Sequence, residues 1–380
     1  MKVVNVVMTL DPVRGGGTAE RTIHMSRSLA SRGVDCTVLT TDGGLSEEVR
    51  RRLGGAELVA LPSLSRRYHV PRRSRGVIRD LIGAADVVHL INHWTVLNAI
   101  AYKAAREVGK PYVICPAGAL HIFGRSRIKK RLYNLLVGRA IVAHASAHIA
   151  IAPNERPHFR AYGVPSDRVL LIPNGVDPAD FPSSSSAGFR ESYGLQDHPY
   201  ILFVGRLSPI KGPDLLLRAF CELGRETGDY HLVIAGPDAG MKPDLLKMAS
   251  QHGLRDRVHF PGYLSGIVKA GAYHCADLVV IPSRQEAMSI VVLEAAICGR
   301  PVLLTDSCGF DEVSTTGGGL VAAATAGALR TGLQRLLADR TGLAAMGSRL
   351  QRFVESSFTW NRIIDDYLAL FARLTGRSVG

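Results

Sequence analysis

Glu286 and Glu294 stand eight residues apart in PSRQEAMSIVVLEAAICGRPVLLTD. The apolar run ADLVVIPS stops just before Glu286, and a helical pattern then carries Glu294 about one turn into the next element. In a parallel sheet, carboxylates so placed face one crevice and can accept hydrogen bonds from sugar hydroxyls. The N–H groups near Ser289, Ile290 and Val291 open that helix and suit a phosphate. An unpaired carboxylate in so apolar a neighbourhood would be costly, which favours a functional reading over a solvated surface one.

Two further segments suit anions. In VGRLSPIKGPDLLLRAF, Arg206 and Lys211 bracket a short loop between a strand and a helix that begins near Pro213. A guanidinium and an ammonium beside a helix N-terminus form a diphosphate clamp, although two exposed loop charges would read the same way. In RGGGTAE, Arg14 to Glu20, successive glycines let backbone N–H groups approach an anion. This is not a dinucleotide fingerprint: Ala19 and Glu20 stand where a further Gly is needed, and no acidic residue ends the second strand in the expected way.

The elements that must position these residues come as short apolar runs alternating with helix-length segments. KVVNVVMTL leads into a Pro/Gly loop, DPVRGGG, and a helix that closes on Gly33. CTVLTT, AELVALP, DVVHLI, PYVICP and HIAIAP follow, then a Pro-, Gly- and Ser-rich interruption at about 169–188. A second series comprises PYILFVG, HLVIAG, RVHFPG, ADLVVIPS and PVLLTD. Such alternation predicts two doubly wound α/β domains, each with a parallel sheet. The tail FTWNRIIDDYLALFARLTG carries Ile363, Ile364, Tyr367, Leu368, Leu370, Phe371 and Leu374 at helical spacing, so one face must pack on something. Asn174 and Gly175, in IPNGVD, read as a β-turn.

With 380 residues, 46% hydrophobic and 21% charged, the chain excludes whole-chain disorder. No apolar run is long enough to span a bilayer and the N-terminus lacks a secretory pattern, which predicts a cytoplasmic protein. Six cysteines without metal-ligand spacing read as buried and reduced. The net charge of +13 is one-sided: residues 1–175 carry 26 Lys and Arg against 12 Asp and Glu, and the remainder is nearly balanced. RRYHVPRRSRGVIR (66–79) and RSRIKKR (125–131) make much of the excess. A field of this kind implies an anionic partner or only a solvated face.

Taken in order, the N-terminal GGG, GRLxxxKG, IPNGVD and the E-x7-E motif closing on CGRPV resemble the retaining family 4 glycosyltransferases of GT-B fold across nearly the whole chain. The resemblance implies two Rossmann-like domains facing a central cleft: an acceptor domain at 1–185, a nucleotide-sugar donor domain at 186–358, and a helix at 359–380 crossing back to the first. It implies that Arg206 and Lys211 neutralise the donor diphosphate, Glu294 binds the ribose and Glu286 holds the donor sugar. Gly16 and Gly17 would face phosphate or acceptor. Gly236, Pro237, Tyr263 and Leu264 match the base-binding neighbourhood, and Met288, Ser289 and Ile290 would shape the donor pocket. Two departures stand out: Ala287 and Met288 replace the usual Gly and aromatic, and PAGAL offers Ala117 where many relatives have His. His121 is ranked ahead of His93 as the imidazole that could approach the cleft.

The implied reaction moves a hexosyl group from a nucleoside-diphosphate sugar to an acceptor hydroxyl with retention, with no cofactor, a UDP-sugar preferred to a GDP-sugar, and positive side chains in place of a metal. No D-x-D pair ends a strand, so no metal is expected. Acceptors in polysaccharide, lipopolysaccharide or glycolipid assembly would be lipid-linked or anionic. The basic SRIKKRLYNLLVGR segment, with Leu132, Tyr133, Leu135, Leu136 and Val137, would then sit on an anionic inner leaflet, or form a core-facing helix with a basic outer face. A nucleotide-sugar epimerase of the same fold is the alternative. A nucleic-acid binder is disfavoured, since aromatic residues are only 6% and no recognition motif appears.

Overall fold

β-Branched and aliphatic runs that cannot leave either face exposed form two sheets covered on both sides by helices. The computed structural model describes residues 1–65, 69–72, 74–122, 126–186, 188–195 and 198–377, without the side chains of residues 185 and 186. Arg66, Arg67, Tyr68 and Arg73 of the first basic cluster and Arg125 of the second lie outside the described residues. The chain divides into two compact units, Met1–Gly175 with Trp360–Gly380, and Val176–Thr359.

The first unit holds β1 (Lys2–Val6), β2 (Asp35–Thr41), β3 (Glu57–Leu61), β4 (Val87–Ile91), β5 (Tyr112–Cys115), β6 (Ala147–Ala150) and β7 (Val169–Leu171) in the order 3-2-1-4-5-6-7. Every pairing is parallel; Val3 lies opposite Cys36 on one side and Val87 on the other. Val4, Val6, Val88, Leu90 and Ile114 pack against Ile78, Ile82, Leu97 and Ala101 of the helices Arg75–Ala84 and Val96–Glu107. The second unit holds β8 (Tyr200–Val204), β9 (His231–Ala235), β10 (Val258–Gly262), β11 (Leu278–Ile281), β12 (Val302–Thr305) and β13 (Gly319–Ala322), ordered 10-9-8-11-12-13. Each sheet reverses its winding once, between β1 and β4 and between β8 and β11, and ligands of such sheets bind beyond the strand ends at that point.

Three readings of the sequence need correction. The interruption at 169–188 begins with a strand, because Val169, Leu170 and Leu171 pair in parallel with His148, Ile149 and Ala150. The DPVRGGG loop contains a helical turn, Pro12–Gly15: Asp11 accepts from the Val13 and Arg14 N–H groups at 2.9 and 3.2 Å, and Pro12 supplies the first helical φ. Asn174 is not in a turn. It is buried, and its Oδ1 accepts from the Arg21 guanidinium at 2.5 Å.

Arg21 explains why the last helix, Trp360–Thr375, belongs to the first unit. The guanidinium lies buried on the helix Gly17–Ser31, donates to the Ile172 and Pro173 carbonyls at 3.2 and 3.1 Å and to Tyr367 Oη at 2.5 Å, and stacks beside the Trp360 ring. The apolar face of that last helix, Ile363, Ile364, Tyr367, Leu370 and Phe371, is buried with it. Among the described residues, no helix is long and apolar enough to cross a membrane, and all six cysteines are buried and free.

Candidate functional site

The second unit gathers its charged chemistry where β8 and β11 lie side by side, Leu278 opposite Ile201 and Val279 opposite Leu202. The chain leaving β8 forms Gly205–Gly212, and the chain leaving β11 forms Pro282–Ser289. Two interactions tie these loops together. Arg284 N–H donates to Ile210 O at 2.7 Å, and its guanidinium grips Asp214 with two bonds of 2.9 and 2.6 Å. Gly212 caps the helix Pro213–Leu223 at φ +68°, where a Cβ would also run into the Pro282 carbonyl, so both the conformation and the packing require glycine.

On this frame the ammonium of Lys211 lies 2.6 Å from Glu286 Oε1. Ser283 Oγ donates to the other oxygen at 2.9 Å, and the Glu286 N–H donates to Ser307 O, beyond β12, at 2.8 Å. Both side chains keep a share of solvent exposure, 31% for Lys211 and 14% for Glu286, so the pair is open to a ligand. Arg206 is exposed at the start of the same loop. Met288 and Ser289 are buried ahead of the helix Ile290–Ile297; the Ser289 N–H donates to Cys308 O at 3.1 Å, while its hydroxyl, also buried, has no partner among the described residues. The first-turn N–H groups of that helix and its positive end suit an anion there.

Glu294 is held separately. Lys269 Nζ lies 2.8 Å from Oε1, and the buried Tyr273 hydroxyl donates to Oε2 at 2.6 Å. Burial, then the neighbouring carboxylate, push the Tyr273 phenol far above its ordinary pKa, so it stays a donor. Sequence reasoning missed Lys269, Tyr273, Ser283 and the Arg284–Asp214 pair. The available signal was the spacing of Lys269 and Tyr273, one turn apart in the otherwise apolar helix Gly266–Cys275.

The remaining predicted donor residues line neighbouring strand ends. Gly236, at φ +144°, follows β9 and packs so closely on the Gly205 carbonyl that no Cβ fits; its N–H donates to Gly262 O at 2.7 Å. Pro237 O accepts the Leu207 N–H at 3.0 Å, tying the Arg206 loop to β9. After β10, Tyr263 is exposed and Leu264 buried.

In the first unit, Gly16 joins the helix Pro12–Gly15 to the helix Gly17–Ser31, and Gly17 is the latter's first residue. The PAGAL segment after β5 bends through Ala117 at φ +49°, with the Gly118 N–H donating to the buried Glu155 carboxylate at 2.5 Å. His121 is exposed and stacked on His158 at 5.2 Å. His93 is fully buried against Trp94, Tyr133 and Tyr162, its Nε2 3.2 Å from Asn134 Oδ1, and burial pulls it down to about 4. Among the described residues, no group of three His, Cys, Asp or Glu side chains converges as a metal would require.

Residues 16–175 match the glycosyl transferase 4-like domain, and residues 187–354 match glycosyl transferases group 1. A D-inositol 3-phosphate glycosyltransferase of Frankia alni is 32% identical over 326 residues, covering 76% of this chain and 77% of that protein. The chain belongs to the family 4 glycosyltransferases. Solved structures place it in the GT-B fold. Anabaena HepE, in complex with UDP and glucose, superposes with a TM-score of 0.81 at 19% identity, over 98% of this chain and all of that one. WaaG, a glycosyltransferase involved in lipopolysaccharide biosynthesis, does so with a TM-score of 0.73 at 20% identity, over 99% of this chain and all of that one.

Proposed function

We propose that this glycosyltransferase takes a hexosyl group from a UDP-sugar and transfers it, with retention and without a metal, to an acceptor hydroxyl in polysaccharide, lipopolysaccharide or glycolipid assembly. The observation that carries this reading is the 2.6 Å pair of Lys211 and Glu286 beyond β8 and β11. The diphosphate gains charge as the sugar–oxygen bond breaks, so fixed positive groups there bind the transition state more strongly than the ground state. Lys211, Arg206 and the N-terminus of the helix Ile290–Ile297 supply that charge.

Glu286 then exchanges Lys211 for hydroxyls of the donor sugar, and the freed ammonium turns to the diphosphate. Glu294, held by Lys269 and Tyr273, receives the ribose hydroxyls. No carboxylate is assigned as nucleophile; attack comes from the face the diphosphate leaves, its oxygen taking the acceptor proton. The preference for uridine draws support from HepE, whose structure holds UDP; a role in envelope polysaccharide draws it from WaaG. Calorimetric titration with UDP and GDP, each with and without EDTA, tests the site. UDP binding that EDTA leaves unchanged is expected, and absence of binding by either nucleotide overturns the reading. Retention is read from the anomeric proton coupling of the product.

A further inference from the structure

The loops that carry Lys211 and Glu286 are joined by two ties of different kinds. The first is the Lys211–Glu286 pair itself, 2.6 Å apart. A diphosphate that takes the ammonium and a sugar that takes the carboxylate would open it. The second uses neither group. Arg284, just ahead of Glu286, donates its backbone N–H to Ile210 O at 2.7 Å, and its Nη1 donates to Pro209 O at 2.6 Å. The same guanidinium closes a fork on Asp214, with bonds of 2.9 and 2.6 Å. Arg284 therefore grips the segment Pro209–Asp214 on both sides of Lys211.

Asp214 lies in the first turn of the helix Pro213–Leu223, where a carboxylate is favoured. The side chains of Arg284 and Asp214 keep 35% and 26% of their exposure, and an ion pair this open contributes little to the stability of the whole unit. What the fork does provide is direction, since two parallel N–H···O bonds fix orientation as well as distance.

We infer that Arg284, acting through Asp214 and the Pro209 and Ile210 carbonyls, is a positioning residue for the transfer: it keeps the Lys211 loop on the Glu286 loop while their own ion pair is open. The inference rests on the donor assignment of Lys211 and Glu286. While that pair is closed the two ties are redundant, and losing either one leaves the loops together. Once it is open, the bonds of Arg284 hold them, and a displacement of about 1 Å at the reacting groups costs on the order of 10²-fold in rate.

The test compares wild type, Arg284→Met, Lys211→Met and the double variant, all as the full chain. The Lys211 and Gly212 N–H groups donate to Ser208 O, and their hydrogen exchange reads the loop without any nucleotide. Exchange should change less than about threefold in each single variant and rise roughly tenfold or more in the double one. With UDP-glucose as donor and water as acceptor, Arg284→Met should slow UDP release roughly tenfold or more, while UDP affinity holds within about threefold. Its melting temperature should stay within about two degrees of wild type, and Asp214→Asn should behave alike. Arg284→Lys keeps the charge but not the fork, and should recover part of the rate. Wild type that fails to bind UDP overturns the donor assignment and this inference with it. Wild type that binds UDP, beside a double variant that exchanges no faster than its parents, overturns this inference alone. So does an Arg284→Met variant that loses rate, UDP affinity and melting temperature together, because Arg284 then only supports the fold.

Discussion

The Lys211 ammonium and the Glu286 carboxylate neutralise one another at 2.6 Å, so in the proposed donor site this positive charge would be spent internally until a diphosphate arrives. The two members of the pair should therefore fail differently. Lys211→Met removes a charge-assisted hydrogen bond to the diphosphate, about 1.5–3 kcal/mol, and should weaken UDP binding roughly 10- to 150-fold. Glu286→Gln removes the competitor for Lys211: UDP affinity should hold or rise while kcat falls by two orders of magnitude or more, because the sugar has lost its acceptor oxygen. Calorimetry and initial rates on both variants read this split. Equal loss of UDP affinity in the two would show that the pair acts only as a structural tie.

Tyr273 and Lys269 satisfy the two oxygens of Glu294 from the helix Gly266–Cys275. Tyr273→Phe leaves a largely buried carboxylate oxygen without its donor, which should cost about 1–3 kcal/mol of stability. A fall in melting temperature of several degrees should accompany a weaker affinity for UDP, since the carboxylate that should take the ribose loses its fixed position. A variant that melts earlier yet binds UDP at wild-type affinity would remove Glu294 from the nucleotide site.

What the sequence made legible follows the range of the interactions involved. Lys211 and Glu286 were recognisable because each lies in the short loop after a strand whose apolar run is unmistakable. Lys269 and Tyr273 were not, because only the folded unit brings them to Glu294, 25 and 21 residues further along. The strand Val169–Leu171 was hidden by its three-residue length and Pro/Gly/Ser-rich surroundings, and Gly319–Ala322 by preceding glycines; both exist because a neighbouring strand pairs with them. The sequence put Leu132, Tyr133, Leu135, Leu136 and Val137 on one amphipathic helix. It carried no information on which way the leucines point, and here they are exposed while Tyr133 and Asn134 bond Thr95 O and Tyr162 Oη.

Arg21 should be the strongest single point in the first unit. Its guanidinium bonds Asn174, Tyr367 and the Ile172 and Pro173 carbonyls, and the nearby phenol, thiol and Glu155 raise its pKa despite burial. Arg21→Met strips donors from several buried acceptors at once and should destabilise the unit by about 3–5 kcal/mol. Protease cleavage should then accelerate at the start of the helix Trp360–Thr375, while UDP binding by the second unit persists. Wild-type protease resistance would mean that the apolar face of that helix suffices without the guanidinium.

Acid should destabilise the first unit through His93. Burial holds its ring near 4, against 6.5 when free, so the folded chain resists a proton that the unfolded chain accepts. The sign follows from linkage: the contribution is complete above about pH 6.5, declines as pH falls from there to about 4, and changes no further below. Over that window the ring should remove about 1.4 kcal/mol per pH unit. His93→Gln cannot titrate, so urea denaturation at half-unit pH steps should show wild type losing its advantage over the variant between pH 6.5 and 4, with a constant difference on either side. Parallel stability curves throughout the window would mean that the imidazole takes up its proton in the folded state as readily as in the unfolded one.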